Sequence, residues 1–225
     1  PFRIPLPDGT AVTVIGKIDR VDVMERDGER YVRVVDYKTG KKEFRLSDVL
    51  YGLNLQMLIY LAALVESGGV QPAGVLYMPS IRPRVSADRE TPPDAVAQAV
   101  DKELRMNGVV LGEEAVIRGM EQDAAGKYIP VSVKNGKLSG AESMLSREEF
   151  DCVIGAIREK IAGMAQTLLD GEISPEPLMQ DHRGCDYCPY FAVCGREYSS
   201  EDVLKEKWKR TEVLEKLREE AQQDG

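Results

Sequence analysis

Two runs of strand-forming residues on either side of Asp27-Gly28 constrain the fold of this chain most strongly. Residues 12–24 and 31–38 are rich in Val, Ile and Tyr, and an Asp-Gly pair between such runs is typical of a β-hairpin with a two-residue turn. A turn of this kind sets the register of the two strands. The register places four valines on one face of the hairpin: Val21, Val23, Val32 and Val34.

Charged residues continue this apolar face at the open end of the hairpin, where Asp19 falls opposite Asp36 and Lys17 opposite Lys38. Opposed carboxylates repel each other, and a buried charge must be paired or bind a metal ion. A divalent cation between Asp19 and Asp36 resolves the conflict, because Mg²⁺ is typically held by one or two carboxylates. Lys38 could then orient a water or stabilise charge on a phosphate. The alternative is a surface hairpin in which the two lysines neutralise the two aspartates.

The opposite face of the same hairpin carries a third aspartate. Asp22 falls across from Arg33, which predicts an exposed ion pair. A slip of one residue in the register would exchange the two faces, so the whole interpretation depends on the turn.

Gln56 and Tyr60 are spaced to share one face of the helix predicted after the hairpin. In isolation, such a pair favours a satisfied buried polar contact. Its position directly after the carboxylate hairpin offers a second hypothesis, in which the pair reaches the substrate or the attacking water.

Local patterns predict several further elements. Helices are expected at 47–66 (apolar all round, capped by Ser47 or Asp48), 93–106, 113–121, 146–170 (with a capping box from Ser146 to Glu149) and 200–221, whose apolar members are Leu204, Trp208, Leu214 and Leu217. Strands are expected at 73–79 and 128–133, the latter followed by a turn at Asn135-Gly136.

Three of the four cysteines cluster as Cys185-x2-Cys188-x5-Cys194. Thiolates at this spacing suit Zn²⁺ or an iron–sulfur cluster, and both normally require four protein ligands. The sole histidine, His182, could complete a structural zinc site. Cys152 lies among Val and Ile of a predicted helix and is expected to be a core residue.

Composition bounds the class of protein. The formal net charge of −8 argues against tight, independent DNA binding, although a basic partner or bound metal ions could supply positive charge. There is neither a secretory signal nor an apolar run long enough to span a bilayer, so a cytoplasmic location is expected. The first residue is Pro1, so we expect the chain to be part of something longer.

The segments "GKIDRVD", "VVDYKTG" and "QMLIY" resemble, in order and spacing, the three motifs of RecB-type nucleases of the PD-(D/E)XK superfamily. The resemblance implies an α/β fold with a restriction-endonuclease-like core, a mixed sheet flanked by helices. It also implies cleavage of phosphodiester bonds with Mg²⁺ or Mn²⁺. Asp19 and Asp36 match the metal-binding acids, Lys38 the catalytic lysine, and Gln56 and Tyr60 the Q-x-x-x-Y motif. The family usually has another acid or histidine ligand upstream, where this chain has only Asp8.

A subset of these nucleases binds a [4Fe–4S] cluster through one upstream cysteine and a downstream CxxCx5C motif. Cys185, Cys188 and Cys194 match the downstream motif, and no cysteine precedes Asp19. The subset includes AddB-type helicase–nuclease proteins and CRISPR adaptation nucleases. The insertion after Tyr60, with segments such as "AGVLYMP" and "GVVLGEEAVIRGME", is more similar to the AddB-type nuclease domain.

The resemblance therefore implies a metal-dependent DNA exonuclease that works with an AddA-type helicase–nuclease partner in double-strand-break resection and recombinational repair. A single domain is expected over 1–225, comprising the catalytic hairpin and helix (12–66), helical insertions (73–170), the cysteine motif (182–198) and a C-terminal helix (200–222). The alternatives are a CRISPR adaptation nuclease and a non-catalytic, metal-stapled domain that binds DNA or a partner.

Overall fold

The computed structural model describes residues 2–40, 42–172, 178, 184–194 and 206–223. The strands are β1 (Phe2–Pro5), β2 (Ala11–Val14), β3 (Arg20–Arg26), β4 (Glu29–Lys38), β5 (Gln71–Pro79), β6 (Asn107–Leu111), β7 (Ser132–Lys134), β8 (Lys137–Ser139) and β9 (Met144–Leu145). The helices are α1 (Gln56–Gly68), α2 (Pro93–Leu104), α3 (Glu114–Met120), α4 (Arg147–Leu169), α5 (Phe191–Cys194) and α6 (Arg210–Gln223). Short 3₁₀ segments lie at Leu46–Tyr51, Ala141–Ser143 and Gly184–Tyr187.

The central sheet has the strand order β3-β4-β5-β6-β9. Its pairs alternate in direction: β3–β4 and β5–β6 are antiparallel, whereas β4–β5 and β6–β9 are parallel. Helix α1 connects the parallel strands β4 and β5, as a crossover between parallel neighbours requires. This mixed, helix-flanked sheet confirms the predicted fold class.

Both faces of the sheet are covered, which explains the nearly continuous apolar runs of β4 and β5. On one face, Val34 and Val75 pack in a core with side chains from α1, α4 and α6. On the other face, Val35 and Leu76 pack with Ile117 of α3 and with other buried residues. The open end of the hairpin belongs to the first face, beside α1.

The hairpin register is confirmed, because Val21 pairs with Val34 and Val23 with Val32 around the Asp27-Gly28 turn. Two expectations for its first strand are wrong. Residues 15–19 interrupt it, and the segment before them is β2, which pairs with β1. In addition, Val21 and Val23 are 38% and 50% exposed, because β3 is an edge strand that the helices do not cover.

The single helix expected over 47–66 is also wrong. The chain forms a 3₁₀ turn at Leu46–Tyr51, and Gly52 and Asn54 then adopt left-handed backbone angles (φ +68° and +54°). A left-handed residue cannot continue a right-handed helix, so α1 starts afresh at Gln56. Neither Ser47 nor Asp48 therefore caps it.

Other predicted elements differ mainly at their ends. The capping box of Ser146 and Glu149 opens α4 as predicted, and Asn135-Gly136 forms the predicted turn. The strand expected over 128–133 begins only at Ser132. Helix α6 begins at Arg210, after a non-helical 206–209, and the part of the prediction at 200–205, with Leu204, lies outside the described residues. None of the helices that the structure describes is long and apolar enough to cross a membrane.

Candidate active site

Asp36 and Lys38 lie at the end of β4 and point to the same side of the sheet, as alternate residues of a strand do. Asp36 is only 7% exposed. Lys38 Nζ lies 2.5 Å from Asp36 Oδ2, yet no hydrogen bond reaches this oxygen from any residue that the structure describes. The predicted neutralisation by Lys38 therefore occurs, but around a buried carboxylate and not on an exposed hairpin.

Asp19 follows the 15–19 loop and lies one position beyond the last strand pair, Arg20 with Val35. Its Oδ2 accepts a hydrogen bond of 3.2 Å from the backbone N–H of Tyr37, the residue after Asp36. The structure thus brings Asp19 to the end of β4, as predicted. Lys17 lies in the loop and outside the ladder, so its predicted pairing with Lys38 does not form.

These two carboxylates suit a divalent cation. Asp36 offers a buried oxygen without a hydrogen-bond donor, and the exposed Asp19 offers a second carboxylate held against the same strand end. Hard cations such as Mg²⁺ take oxygen ligands of this kind and keep several waters. The upstream acid Asp8 has a different role: it accepts hydrogen bonds from the backbone and hydroxyl of Thr10 within the β1–β2 connection.

A row of three side chains crosses the sheet at the level of Asp36. In the strand registers, Asp36 is adjacent to Tyr77 of β5, and Tyr77 is adjacent to Asn107 of β6. The Lys38 ammonium lies 5.2 Å from the centroid of the Tyr77 ring. Burial, with the charges of Asp36 and Asp48, raises the pKa of Tyr77, so its hydroxyl stays protonated at neutral pH.

Gln56 and Tyr60 also meet as predicted, with Gln56 Nε2 donating to Tyr60 Oη at 3.1 Å. Tyr60 is held from its other side by the backbone of the 15–19 loop. A Cβ added to Gly16 would lie 2.6 Å from the Tyr60 ring. Gly16 therefore allows the loop that carries Asp19 to pack directly on the helix that carries Gln56 and Tyr60.

Asp22 has a different environment on the opposite face. Its two carboxylate oxygens each lie 2.7 Å from an arginine Nε, one of Arg20 and one of Arg33. Burial alone would raise the pKa of Asp22, but the hydrogen bonds from both arginines outweigh it and lower this pKa. The predicted ion pair with Arg33 is confirmed, and Arg20 extends it.

The clustered cysteines are thiols without disulfides, with Cys185 half-buried and Cys188 and Cys194 exposed. Among the described residues, no group of three or more His, Cys, Asp or Glu is gathered closely enough to hold a metal ion. His182 lies outside the described residues. Cys152 packs against the main core as expected, and its burial raises the pKa of its thiol.

Sequence reasoning missed three residues that shape the site: Gly16, Tyr77 and Asn107. Tyr77 and Asn107 reach it through pairings between strands that are distant in sequence, which no local pattern announces. The glycine within "VIGKIDR" was visible, but its purpose depends on the position of Tyr60.

With this geometry in place, the family is clear. Residues 1–195 match the family model described as PD-(D/E)XK nuclease superfamily, and the chain belongs to that superfamily.

Its relatives are more specific in kind, and all are named as a component of an ATP-dependent helicase/deoxyribonuclease. The chain is 36% identical to the protein of this name from Caldanaerobacter subterraneus subsp. tengcongensis, in an alignment that covers all of this chain and 20% of the relative. It is 35% identical to the protein from Thermoanaerobacter sp. (strain X514), covering 100% and 21%, respectively. Its identity to the Clostridium botulinum (strain Hall) protein is 38%, covering 86% and 18%. The chain thus spans about a fifth of the length of these relatives.

Proposed function

We propose that this chain is the nuclease domain of an ATP-dependent helicase–nuclease component and hydrolyses DNA phosphodiester bonds with a divalent metal ion. The superfamily and the names of the relatives support this proposal. The single observation that carries it is the buried Asp36 carboxylate, which has one oxygen without a hydrogen-bond donor and Asp19 at the same strand end. A buried carboxylate left in this state favours a ligand over a structural role.

Asp19 and Asp36 would hold the ion. Such an ion polarises a phosphoryl oxygen and lowers the pKa of a bound water when present. Lys38 supplies a positive charge within 2.5 Å of Asp36, where it can hold the scissile phosphate or orient the attacking water. The Tyr77 ring supports that ammonium from below. Gln56 and Tyr60, locked together, can orient a substrate oxygen at the rim.

The finer parts of the proposal concern the larger protein. The relatives' name supports an assembly with a helicase–nuclease partner of the AddA type and a role in recombinational repair of double-strand breaks. Exonucleolytic cleavage and the choice of Mg²⁺ or Mn²⁺ follow from the same resemblance. Cys185, Cys188 and Cys194 remain predicted ligands of an iron–sulfur cluster, and no step of the proposed hydrolysis uses it.

The direct test is cleavage of end-labelled linear DNA with Mg²⁺ or Mn²⁺, by anaerobically purified protein with and without a chelator. Each 1.36 kcal/mol of lost transition-state stabilisation slows the reaction tenfold, and a metal ion supplies several kcal/mol. We therefore expect Asp36→Ala and Lys38→Ala each to slow cleavage by about 10³-fold or more. Quantifying iron, zinc and sulfide in the same sample tests the cysteine prediction.

The control for these variants is Asp22→Asn, which removes a carboxylate from the same hairpin but from the opposite face. It should cleave DNA within about twofold of wild type. Cleavage that survives Asp36→Ala, or that ignores the chelator, would contradict the proposed metal site. Wild-type protein that binds DNA but does not cleave it would favour the non-catalytic alternative.

A further inference from the structure

A cleft of about 760 Å³ opens beside Lys38 on the α1 side of the sheet. Its floor is formed by the ends of β4 and β5 and the beginning of β6, through Lys38, Tyr77 and Asn107. Its walls come from the 40–45 loop and the end of α2. The cleft therefore starts at the proposed catalytic lysine and leads away from it.

The charge of this cleft is opposite to that of the chain. Its described lining includes five basic side chains and three acidic ones, whereas the chain has a net charge of −8. The basic residues are Lys38, Lys42, Arg45, Lys102 and Arg105, and the acidic ones are Glu43, Asp48 and Glu103. Glu43 is bound to Arg45 at 2.6 Å, so this pair cancels within the wall. Positive lining in an otherwise acidic protein favours an anionic ligand at this position.

Lys42 is held in the cleft by uncharged partners. Its Nζ donates to the side-chain oxygen of Asn54, whose own amide donates to Asp48. The loop itself is clamped by Asn107, which accepts from the N–H of Phe44 at 2.7 Å and donates to the carbonyl of Lys42 at 2.9 Å. The lysine is thus fixed in place with its positive charge uncompensated by an ion pair in these contacts.

The far wall is anchored in a similar way. Arg105 Nε donates to the carbonyl oxygen of Ile129 at 2.9 Å, which orients the guanidinium through a neutral contact. Lys102 is exposed in the last turn of α2. Three cations, Lys42, Lys102 and Arg105, therefore line one continuous cleft that begins at Lys38.

We infer that this cleft binds the phosphate backbone of the DNA strand on one side of the scissile bond, with Lys42 and Lys102 contacting phosphates beyond the cleaved one. This inference rests on the proposed function, which places the scissile phosphate at Asp36 and Lys38. Phosphate contacts position a strand without reading its sequence, so the cleft binds DNA without base preference. The local cleft also explains how an acidic chain can hold a polyanion.

The test compares two double variants of the full chain that carry the same change in charge. Lys42→Gln with Lys102→Gln alters the cleft. Lys134→Gln with Lys137→Gln alters exposed lysines of the β7–β8 hairpin, outside it. Fluorescence anisotropy of a labelled oligonucleotide, without metal, gives the dissociation constant at several salt concentrations. Single-stranded and duplex forms of the same sequence are measured in parallel.

For the cleft variant we expect binding at least about tenfold weaker than wild type at low salt. Each lost phosphate contact reduces the slope of log affinity against log salt by about 0.7 for single strands and 0.9 for duplex. The slope should therefore fall by about 1.4 or 1.8, and the larger share of the loss identifies the form that the cleft holds. In cleavage assays the cleft variant should raise KM more than it lowers kcat. The hairpin variant should match wild type throughout.

The outcomes separate this inference from the nuclease proposal. Equal DNA affinity of the two double variants, or wild-type protein that fails to bind at low salt, overturns the cleft whatever the cleavage assay shows. Weaker binding by the cleft variant, together with wild-type protein that does not cleave, supports the cleft and contradicts the nuclease proposal.

Discussion

The two faces of the β3–β4 hairpin carry aspartates with opposite environments. On one face, both oxygens of Asp22 are bound by arginines at 2.7 Å. On the other, Asp36 is more deeply buried, yet one of its oxygens has no hydrogen-bond donor among the described residues and a single ammonium nearby. Burial by itself does not distinguish the two carboxylates, because what differs is how completely each is satisfied.

This difference separates a structural carboxylate from a candidate ligand. A satisfied carboxylate stabilises the fold and has no capacity left for a cation. An under-satisfied, buried carboxylate is costly in the folded state, and an incoming cation offsets that cost. The hairpin thus uses one residue type for two purposes, on two sides of a single strand pair.

The largest expected effect breaks the comparison at Asp36. Asp36→Asn should weaken Mn²⁺ binding by at least about 100-fold, because even residues that merely support metal ligands contribute 10- to 100-fold. Asp22→Asn, the matched change on the opposite face, should leave Mn²⁺ affinity unaltered. Isothermal titration calorimetry of both variants measures the contrast. Equal affinities in the two variants would mean that hydrogen-bond satisfaction is not what distinguishes these aspartates.

A smaller effect tests how the Asp19 side of the site is positioned. Gly16→Ala places a methyl group 2.6 Å from the Tyr60 ring, so either the ring or the Asp19 loop must move. A misplacement of about 1 Å can cost up to 10²-fold in rate, and we expect kcat to fall by about tenfold with a smaller change in KM.

The control is Gly155→Ala in α4, where the added methyl group meets no atom within 4 Å and activity should be unchanged. Thermal denaturation of both variants shows whether the loss of rate is only a loss of folded protein. Unaltered kcat in a folded Gly16→Ala protein would show that the contact with Tyr60 does not position the site.

The smallest effect concerns Asp22 and stability. Its folded pKa is lowered, so its contribution to the free energy of unfolding is present above the ordinary value of 3.8 and is lost as pH falls through the folded pKa. Asp22→Asn should therefore lower the free energy of unfolding by about 1 kcal/mol near neutral pH, and the deficit should shrink as the pH falls below 3.8. Urea unfolding across this range measures it. Asp27→Asn, at an exposed turn pair, should have almost no effect, and a deficit for Asp22→Asn that is independent of pH would point to lost packing.

The sequence predicted the hairpin and its register well, because Asp27-Gly28 imposes both through local turn chemistry. It also predicted the contact between Gln56 and Tyr60, since helical spacing is local. It did not predict the break at Gly52 and Asn54, where apolar periodicity continues across backbone angles that end a helix. Residue type alone could not place Tyr77 and Asn107 beside the carboxylate, because strand partners joined by long connections have no local register signal.

The clamp made by Asn107 has a practical consequence for shortening this protein. Its hydrogen bonds join residues 63 and 65 positions apart, so the cleft wall and the strand that secures it are encoded far from each other. A truncated chain that ends before β6 would retain every residue of the three nuclease motifs and lose the acceptor for the Phe44 amide. Hydrogen exchange at that single amide would therefore report whether a miniaturised enzyme has kept its substrate path along with its catalytic residues.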